Sequence, residues 1–257
     1  MNRLVRFALT GLLICCMSSC GLKAEKVDFA AEIFFEANRD YGNGQFQKAV
    51  DGYLELIEKG FDTGHLFYNL GNAYFRLGET GKAILCYEKA RLLIPRNDDL
   101  AFNLAYAKDQ VVDAVDDFRT IPLTNFIGLD SLNLHEVFFI FSVVNILFFA
   151  LIGIRLFKKV EWSYYLSIFS AIVISISACA LVLKWYGSVA DDRAVILSEE
   201  AVVRAGPDTK DTVLFKIHQG TVVHYERKEG DWVLLRLSKD KRGWVESSHI
   251  EQIIKAG

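Results

Sequence analysis

The sequence is short of cysteine, of positive charge and of any catalytic signature, and each shortage excludes something. Its 257 residues carry a formal net charge of −3. That argues against nucleic acid as a partner, since displacing counterions from phosphates takes clustered Lys and Arg. Only five cysteines are present. Cys15, Cys16 and Cys20 fall in an N-terminal targeting segment. Cys86 and Cys179 are then lone thiols in separate apolar settings, so no disulfide framework is expected. Catalytic motifs are missing too. His135-Glu136 is followed by Phe139 where a zinc site needs His, and no Gly-x-Ser-x-Gly elbow occurs. His218, His224 and His249 share the C-terminal part but lack metal-ligand spacing. The acidic pairs Asp98-Asp99, Asp116-Asp117 and Asp191-Asp192 sit at element edges, as solvated caps do. The run Gly78-Glu79-Thr80-Gly81-Lys82-Ala83 imitates a phosphate-binding loop. It has too few residues between its glycines and no Ser or Thr after the Lys. A turn inside a helical repeat explains it. No enzyme, no cofactor and no metal site are expected.

Long apolar runs, by contrast, are present and define the class. The hydrophobic share is 52%, concentrated in residues 1–20, 137–154 and 163–183. Arg3 and Arg6 precede an apolar stretch from Phe7 to Met17, which has the layout of a signal peptide spanning 1–24. The stretch Met17-Ser18-Ser19-Cys20-Gly21 resembles a bacterial lipobox, which would make Cys20 a lipidation site; cleavage near Ala24 is the alternative. Two further runs lie within 134–157 and 163–186. Each is long enough for a helix to cross roughly 30 Å of hydrocarbon. The residues between them, 158–162, are too few to hold a domain. Arg155, Lys158 and Lys159 place that loop in the cytoplasm by the positive-inside rule. Trp162, Tyr164 and Tyr165 mark one interface, and Trp185 and Tyr186 the other. The soluble segments on either side of this hairpin are therefore expected in the periplasm, held at the inner membrane. Ser142 and Asn145 are read as helix-to-helix hydrogen bonders, and no paired ionisable groups suggest an ion path.

An internal repeat organises the first soluble segment. Ala37, Gly71 and Ala105 recur at intervals of 34 residues, as do Ala49 and Ala83, and Tyr53 and Tyr87. Small residues at Gly71 and Ala83 would let two helices approach, Tyr87 would fill the gap, and Pro95 would end the second helix. The stretch Tyr68 to Tyr74, with Gly78, Ala83, Tyr87, Ala90 and Pro95, closely resembles the tetratricopeptide repeat. That resemblance implies repeats over 28–117: one at about 30–63, one at 64–97, and a third helix running to about Asp117. It also implies a groove lined by the first helix of each repeat. Phe34, Asn38 and Tyr41 would face it, then Tyr68, Asn69, Asn72, Phe75 and Arg76, then Phe102, Asn103 and Tyr106. Asn38 and Asn69 match the two Asn of carboxylate-clamp repeats. The basic clamp positions hold Phe34, Asp99 and Asn103, so a segment's backbone is the expected ligand. The alternative is that these Asn only tie helices together.

After a linker (118–133) and the hairpin, residues 191–254 turn to short alternating runs. Strands are expected at Ala194 to Leu197, Ala201 to Arg204, Val213 to Ile217, Thr221 to Glu226, Trp232 to Leu237 and Gly243 to Glu246. Val203 to Pro207, Gly230-Asp231-Trp232-Val233 and Gly243-Trp244-Val245 resemble the bacterial SH3-like domain, which implies a small barrel with Trp232 and Trp244 in its core. The fold class is thus a multidomain membrane protein: all-α repeats, a transmembrane helical hairpin and an all-β SH3-like barrel. In this order the parts resemble the BatE family of aerotolerance-operon proteins. The resemblance implies a scaffold whose partners are membrane proteins with von Willebrand A domains and a MoxR-type ATPase. The alternative is a cell-wall sensor whose SH3-like domain touches peptidoglycan.

Overall fold

A computed structural model describes residues 29–113, 128–157 and 162–254. The signal segment with Cys20, residues 114–127 of the repeat end and linker, and loop residues 158–161 lie outside them.

Five helices form the repeat module. They are α1 (29–42), α2 (Phe46–Glu58), α3 (Gly64–Arg76), α4 (Thr80–Leu93) and α5 (Asp98–Asp109). The 34-residue period is visible in the local chemistry. Gly44 and Gly78 hold positive φ of 76° and 80° in the turns within repeats, a conformation that costs glycine little. Thr63 and Asn97 cap the helices that open the second and third repeats, accepting from Leu66 N at 3.2 Å and Leu100 N at 2.8 Å. A Cβ at Gly71 would lie 2.7 Å from the Tyr87 ring, so the glycine sets the helix spacing. Helix α5 stops at its Gln110 cap, short of the expected run to Asp117.

Helices α6 (Leu134–Phe157) and α7 (Trp162–Val189) pack on each other as a hairpin. Both are long and apolar enough to cross a membrane, and their side chains are almost all outside any protein core. Asn133 and Glu136 cap α6 reciprocally: Glu136 N donates to Asn133 Oδ1 at 2.8 Å, and Asn133 N to Glu136 Oε2 at 2.9 Å. The same residues moor the hairpin to the repeats. Asn133 Nδ2 donates to the Leu93 carbonyl at 3.0 Å, and Arg96 pairs with Glu136. Lys184 of α7 donates to the Leu129 carbonyl at 3.2 Å.

Seven antiparallel strands follow: β1 (Arg193–Ile196), β2 (Glu200–Arg204), β3 (Val213–His218), β4 (Val222–Glu229), β5 (Trp232–Arg236), β6 (Arg242–Glu246) and β7 (Ile250–Gln252). Their order is β3-β2-β6-β5-β4-β1-β7. The expected barrel is an open sheet with β3 and β7 as its edges. The short β7, which the sequence reading lacked, serves both modules: Ile250 packs in the sheet's own core, Glu251 pairs with Lys89 of α4 at 2.8 Å, and Ile253, just past the strand, belongs to the helical core. Alternate residues Val203, Val233, Leu235 and Val245 fill the sheet's own core.

Helix α4 explains how the two soluble modules meet. Helix α2 buries one face, through Ala49, Val50, Tyr53 and Leu56. Helix α4 is buried on nearly all sides, through Ile84, Leu85, Cys86, Tyr87 and Glu88 among others. One flank faces α3 and α5; the other carries the β module. Val195 and Ile253 of the β module belong to the helical core, so that core extends across the contact between the modules. The backbones approach most closely at Gly81, where a Cβ would fall 2.5 Å from the Ile196 carbonyl oxygen. The glycine of the phosphate-loop look-alike is therefore the seat of the β module.

Replacing Gly by Ala inside a helix normally stabilises by about 1 kcal/mol. Gly81→Ala is expected to have the opposite sign, destabilising by about 1–3 kcal/mol through overpacking. Gly42→Ala, with no atom within 4 Å of the new Cβ, should follow the normal sign. Denaturant melts of the two variants in detergent check the pair.

Candidate functional site

The groove residues lie on α1, α3 and α5, and four asparagines form two equivalent bridges there. Asn38 Oδ1 accepts from the Tyr53 hydroxyl at 2.7 Å and from Asn69 Nδ2 at 2.9 Å. One repeat on, Asn72 Oδ1 accepts from the Tyr87 hydroxyl at 2.7 Å and from Asn103 Nδ2 at 2.9 Å. Asn103 Nδ2 also donates to the Tyr68 hydroxyl at 3.1 Å. Each bridge joins the second helix of a repeat to its first helix and to the first helix of the next. Burial pushes the Tyr53 phenol up to about 12, with Tyr41 adding to the shift, so it stays a hydroxyl donor at any physiological pH.

Around these bridges the remaining candidates form an aromatic rim. Tyr41 meets Phe46 edge-on at 5.3 Å, and Arg76 lies 4.5 Å over the Phe46 ring. Phe75 meets Tyr106 edge-on at 5.8 Å. Arg76 is exposed, whereas Asn38, Tyr41, Tyr68, Asn69, Asn72, Phe75 and Asn103 are half-buried. The Asn38 and Asn72 carbonyls are already used twice. Asn69 Oδ1 and Asn103 Oδ1 accept no hydrogen bond among the described residues, and these oxygens could meet a ligand's N–H. The asparagines thus tie neighbouring helices together through the Asn38 and Asn72 oxygens and the Asn69 and Asn103 amide nitrogens.

The strongest polar cluster is one that sequence reasoning missed. Glu88 on α4 is fully buried. Its Oε2 lies 2.6 Å from Arg193 Nη1 on β1 and 2.6 Å from Arg91, and its Oε1 lies 2.7 Å from Lys108 of α5. Arg193 in turn grips Asp191, the second residue after α7, at 2.8 Å. Repeats, hairpin exit and β module therefore converge on two carboxylates and one guanidinium. Burial opposes ionisation of Glu88, but Arg193, Arg91 and Lys108 outweigh it and hold the carboxyl below its ordinary range. A second tie lies nearby. The Asp113 carboxylate accepts from His218 N at 2.7 Å and Thr221 Oγ1 at 2.9 Å, with His218 Nδ1 at 3.2 Å. One sequence signal was available: Leu85 and Glu88 stand where the first repeat has Asp51 and Leu54, an inverted polarity for an outer helix face.

The other candidates resolve simply. His224 pairs with Asp192 at 2.8 Å, and His249 lies 3.8 Å from Glu246. No group of His, Cys, Asp and Glu fit for a metal occurs among the described residues. Trp244 is buried beneath Arg227, 5.3 Å from its ring, while Trp232 is half-buried. Burial raises the Cys86 thiol to about 12, which removes it as a nucleophile.

With this geometry in view, comparison with known families is specific to two parts of the chain. Residues 66–97 match the family described as tetratricopeptide repeat, and residues 199–251 match the bacterial SH3 domain. No curated protein matches the chain. The repeats point to protein–protein interaction, and the SH3 match to protein or cell-wall contact.

Glu88 generates a pH prediction. Its folded pKa lies below the ordinary value of 4.5, so the unfolded chain binds more protons as pH falls. The stabilisation is fully present above pH 4.5 and is lost as pH falls through the depressed value. Glu88→Gln should cost about 3 kcal/mol at pH 7, because Arg193 stays buried with one partner fewer. It should also flatten the acid limb of stability. Chemical denaturation at pH 7 and pH 4 checks both.

Proposed function

We propose that this protein is a non-catalytic scaffold, anchored in a bacterial inner membrane with both soluble modules in the periplasm. The observation that carries the reading is the joint at Glu88. It joins the segments before and after an apolar hairpin into one body. A hairpin that crosses the membrane twice then leaves both segments on one side, as the charge of its loop also suggests. Among the described residues, the face formed by α1, α3 and α5 remains open, with amide groups and aromatic rims suited to an extended protein segment. The resemblance to BatE-type proteins suggests the partners: membrane proteins with von Willebrand A domains, working with a MoxR-type ATPase in an aerotolerance or stress complex. Cys20 as a lipid anchor would add to the hold of the hairpin.

A second reading rests on the bacterial SH3 match, whose family is associated with cell-wall contact. The sheet's open edge at β3, with Val213 and Leu214 about half exposed, is a surface free for such contact.

A photocrosslinking residue at position 76, on the exposed rim, distinguishes them in living cells. The scaffold reading expects a specific adduct with a von Willebrand A-domain membrane protein, reduced by Asn69→Ala. Adducts only with lipid, together with pelleting of the intact protein on peptidoglycan, would reject the groove and favour the cell wall.

A further inference from the structure

The repeat register exposes an asymmetry between the two ends of the helical stack. Leu66, Leu70 and Ala73 of α3 are buried against the preceding repeat, and Leu100, Leu104 and Ala107 of α5 likewise. In α1 the equivalent positions are Glu32, Glu36 and Arg39, the last two ion-paired at 2.9 Å. The N-terminal end is thus sealed with charge, as a capping repeat requires. Among the described residues the other end is not sealed. Phe34 and Tyr68 each pack on the tyrosine of their own second helix, with ring centroids 6.1 Å from Tyr53 and 6.2 Å from Tyr87. The equivalent of these on α5 is Phe102, and it is 71% exposed. Ala105, at the place of buried Ala37 and Gly71, is exposed, as are Ala101 and Tyr106. This apolar stripe runs between Asp98 and Asp109, one helical face with a carboxylate at each end. Neither carboxylate has a cationic partner among the described residues.

We propose that this face of α5 docks a basic amphipathic helix from a partner protein, which takes the place that α2 and α4 take in the earlier repeats. The two earlier repeats specify the shape: a helix with a small residue opposite Ala105, and apolar side chains against Phe102 and Tyr106. The acidic ends specify the charge, since a helix flanked by Lys or Arg meets Asp98 and Asp109. The residues that follow α5 in sequence carry Asp116 and Asp117 against Arg119, the wrong sign for this face. The surface shares Tyr106 with the groove's aromatic rim but none of the asparagine bridges, and the inference rests on the proposed function only for the premise that the repeats bind protein.

The chain itself supplies the probes. A labelled peptide of residues 80–93 with Cys86→Ser is basic, with Lys82, Lys89 and Arg91 against Glu88. A peptide of residues 46–58 is acidic, with Asp51, Glu55 and Glu58 against Lys48. Both already fit the equivalent face of their own repeats; they differ in charge, and also in that the first is buried on nearly all sides and the second on one, so the Ala105→Glu variant decides whether binding is at this face. Fluorescence anisotropy with the full-length protein in nanodiscs should show binding of the basic peptide, weakened by salt, and at least tenfold weaker binding of the acidic one. Ala105→Glu should reduce binding at least tenfold without moving the melting temperature, because the residue is exposed; Phe102→Ala should act in the same direction. Equal binding of the two peptides, or binding indifferent to Ala105→Glu, would overturn the proposal. So would a dimer that Ala105→Glu dissociates, or a Phe102→Cys thiol shielded from reagent, since either means the face is already covered. Binding lost with Arg76→Glu but kept with Ala105→Glu would place the helix in the groove, rejecting this surface and leaving the scaffold reading intact.

Discussion

The described repeats, hairpin exit and β module all meet at the Glu88–Arg193–Asp191 cluster. Glu88 belongs to the repeats, Asp191 to the exit of the hairpin and Arg193 to the first strand of the β module. Taking such charges out of water costs several kcal/mol per ion, and their mutual attraction offsets this only when geometry is good and remaining polar atoms are satisfied. Here the carboxylate meets Arg193, Arg91 and Lys108 at 2.6 to 2.7 Å. An apolar contact between the modules could slide; a buried carboxylate facing one guanidinium has one seat. The cluster therefore fixes register more than it adds stability. The absence of a side chain at Gly81 brings the backbones near enough for the seat to exist.

Functional geometry follows from that seat. The β module covers the outer flank of α4, so the asparagine-bearing face of α1, α3 and α5 is left open. The hairpin is moored at both ends, through Asn133 and Glu136 at its entry and Asp191 at its exit. In the proposed scaffold, this mooring would hold partner contact on the repeats at a set height over the membrane surface. Two flexibly linked modules would gain affinity through effective concentration. Modules seated on one another in the proposed scaffold would gain it through preorganisation instead, since no module has to be ordered on binding.

Much of this was legible in the sequence, for identifiable reasons. Intervals of 34 residues at Ala37, Gly71 and Ala105 reveal the repeat because packing demands a small residue at the same point of each helix pair. Two runs of apolar residues reveal the hairpin because hydrocarbon admits few charges. Alternation around Trp232 and Trp244 reveals the strands. Three features were hidden. The edge strand β7 of the open sheet was hidden because a three-residue strand has no period to read. The asparagine bridges depend on which oxygen faces which helix, a matter of side-chain dihedral angles. The joint pairs residues 105 positions apart, Glu88 with Arg193. Its only local trace is the polarity inversion at Leu85 and Glu88 on an outer helix face.

The central claim is that the segments before and after the hairpin form one rigid body. Spin labels at the exposed positions 58, on α2, and 228, on β4, span the joint without touching it. Pulsed dipolar spectroscopy on the full-length protein in nanodiscs reads their separation. One narrow distance distribution, broadened by Glu88→Gln, is the predicted result. A broad distribution in the wild-type chain, unchanged by that substitution, would contradict the account.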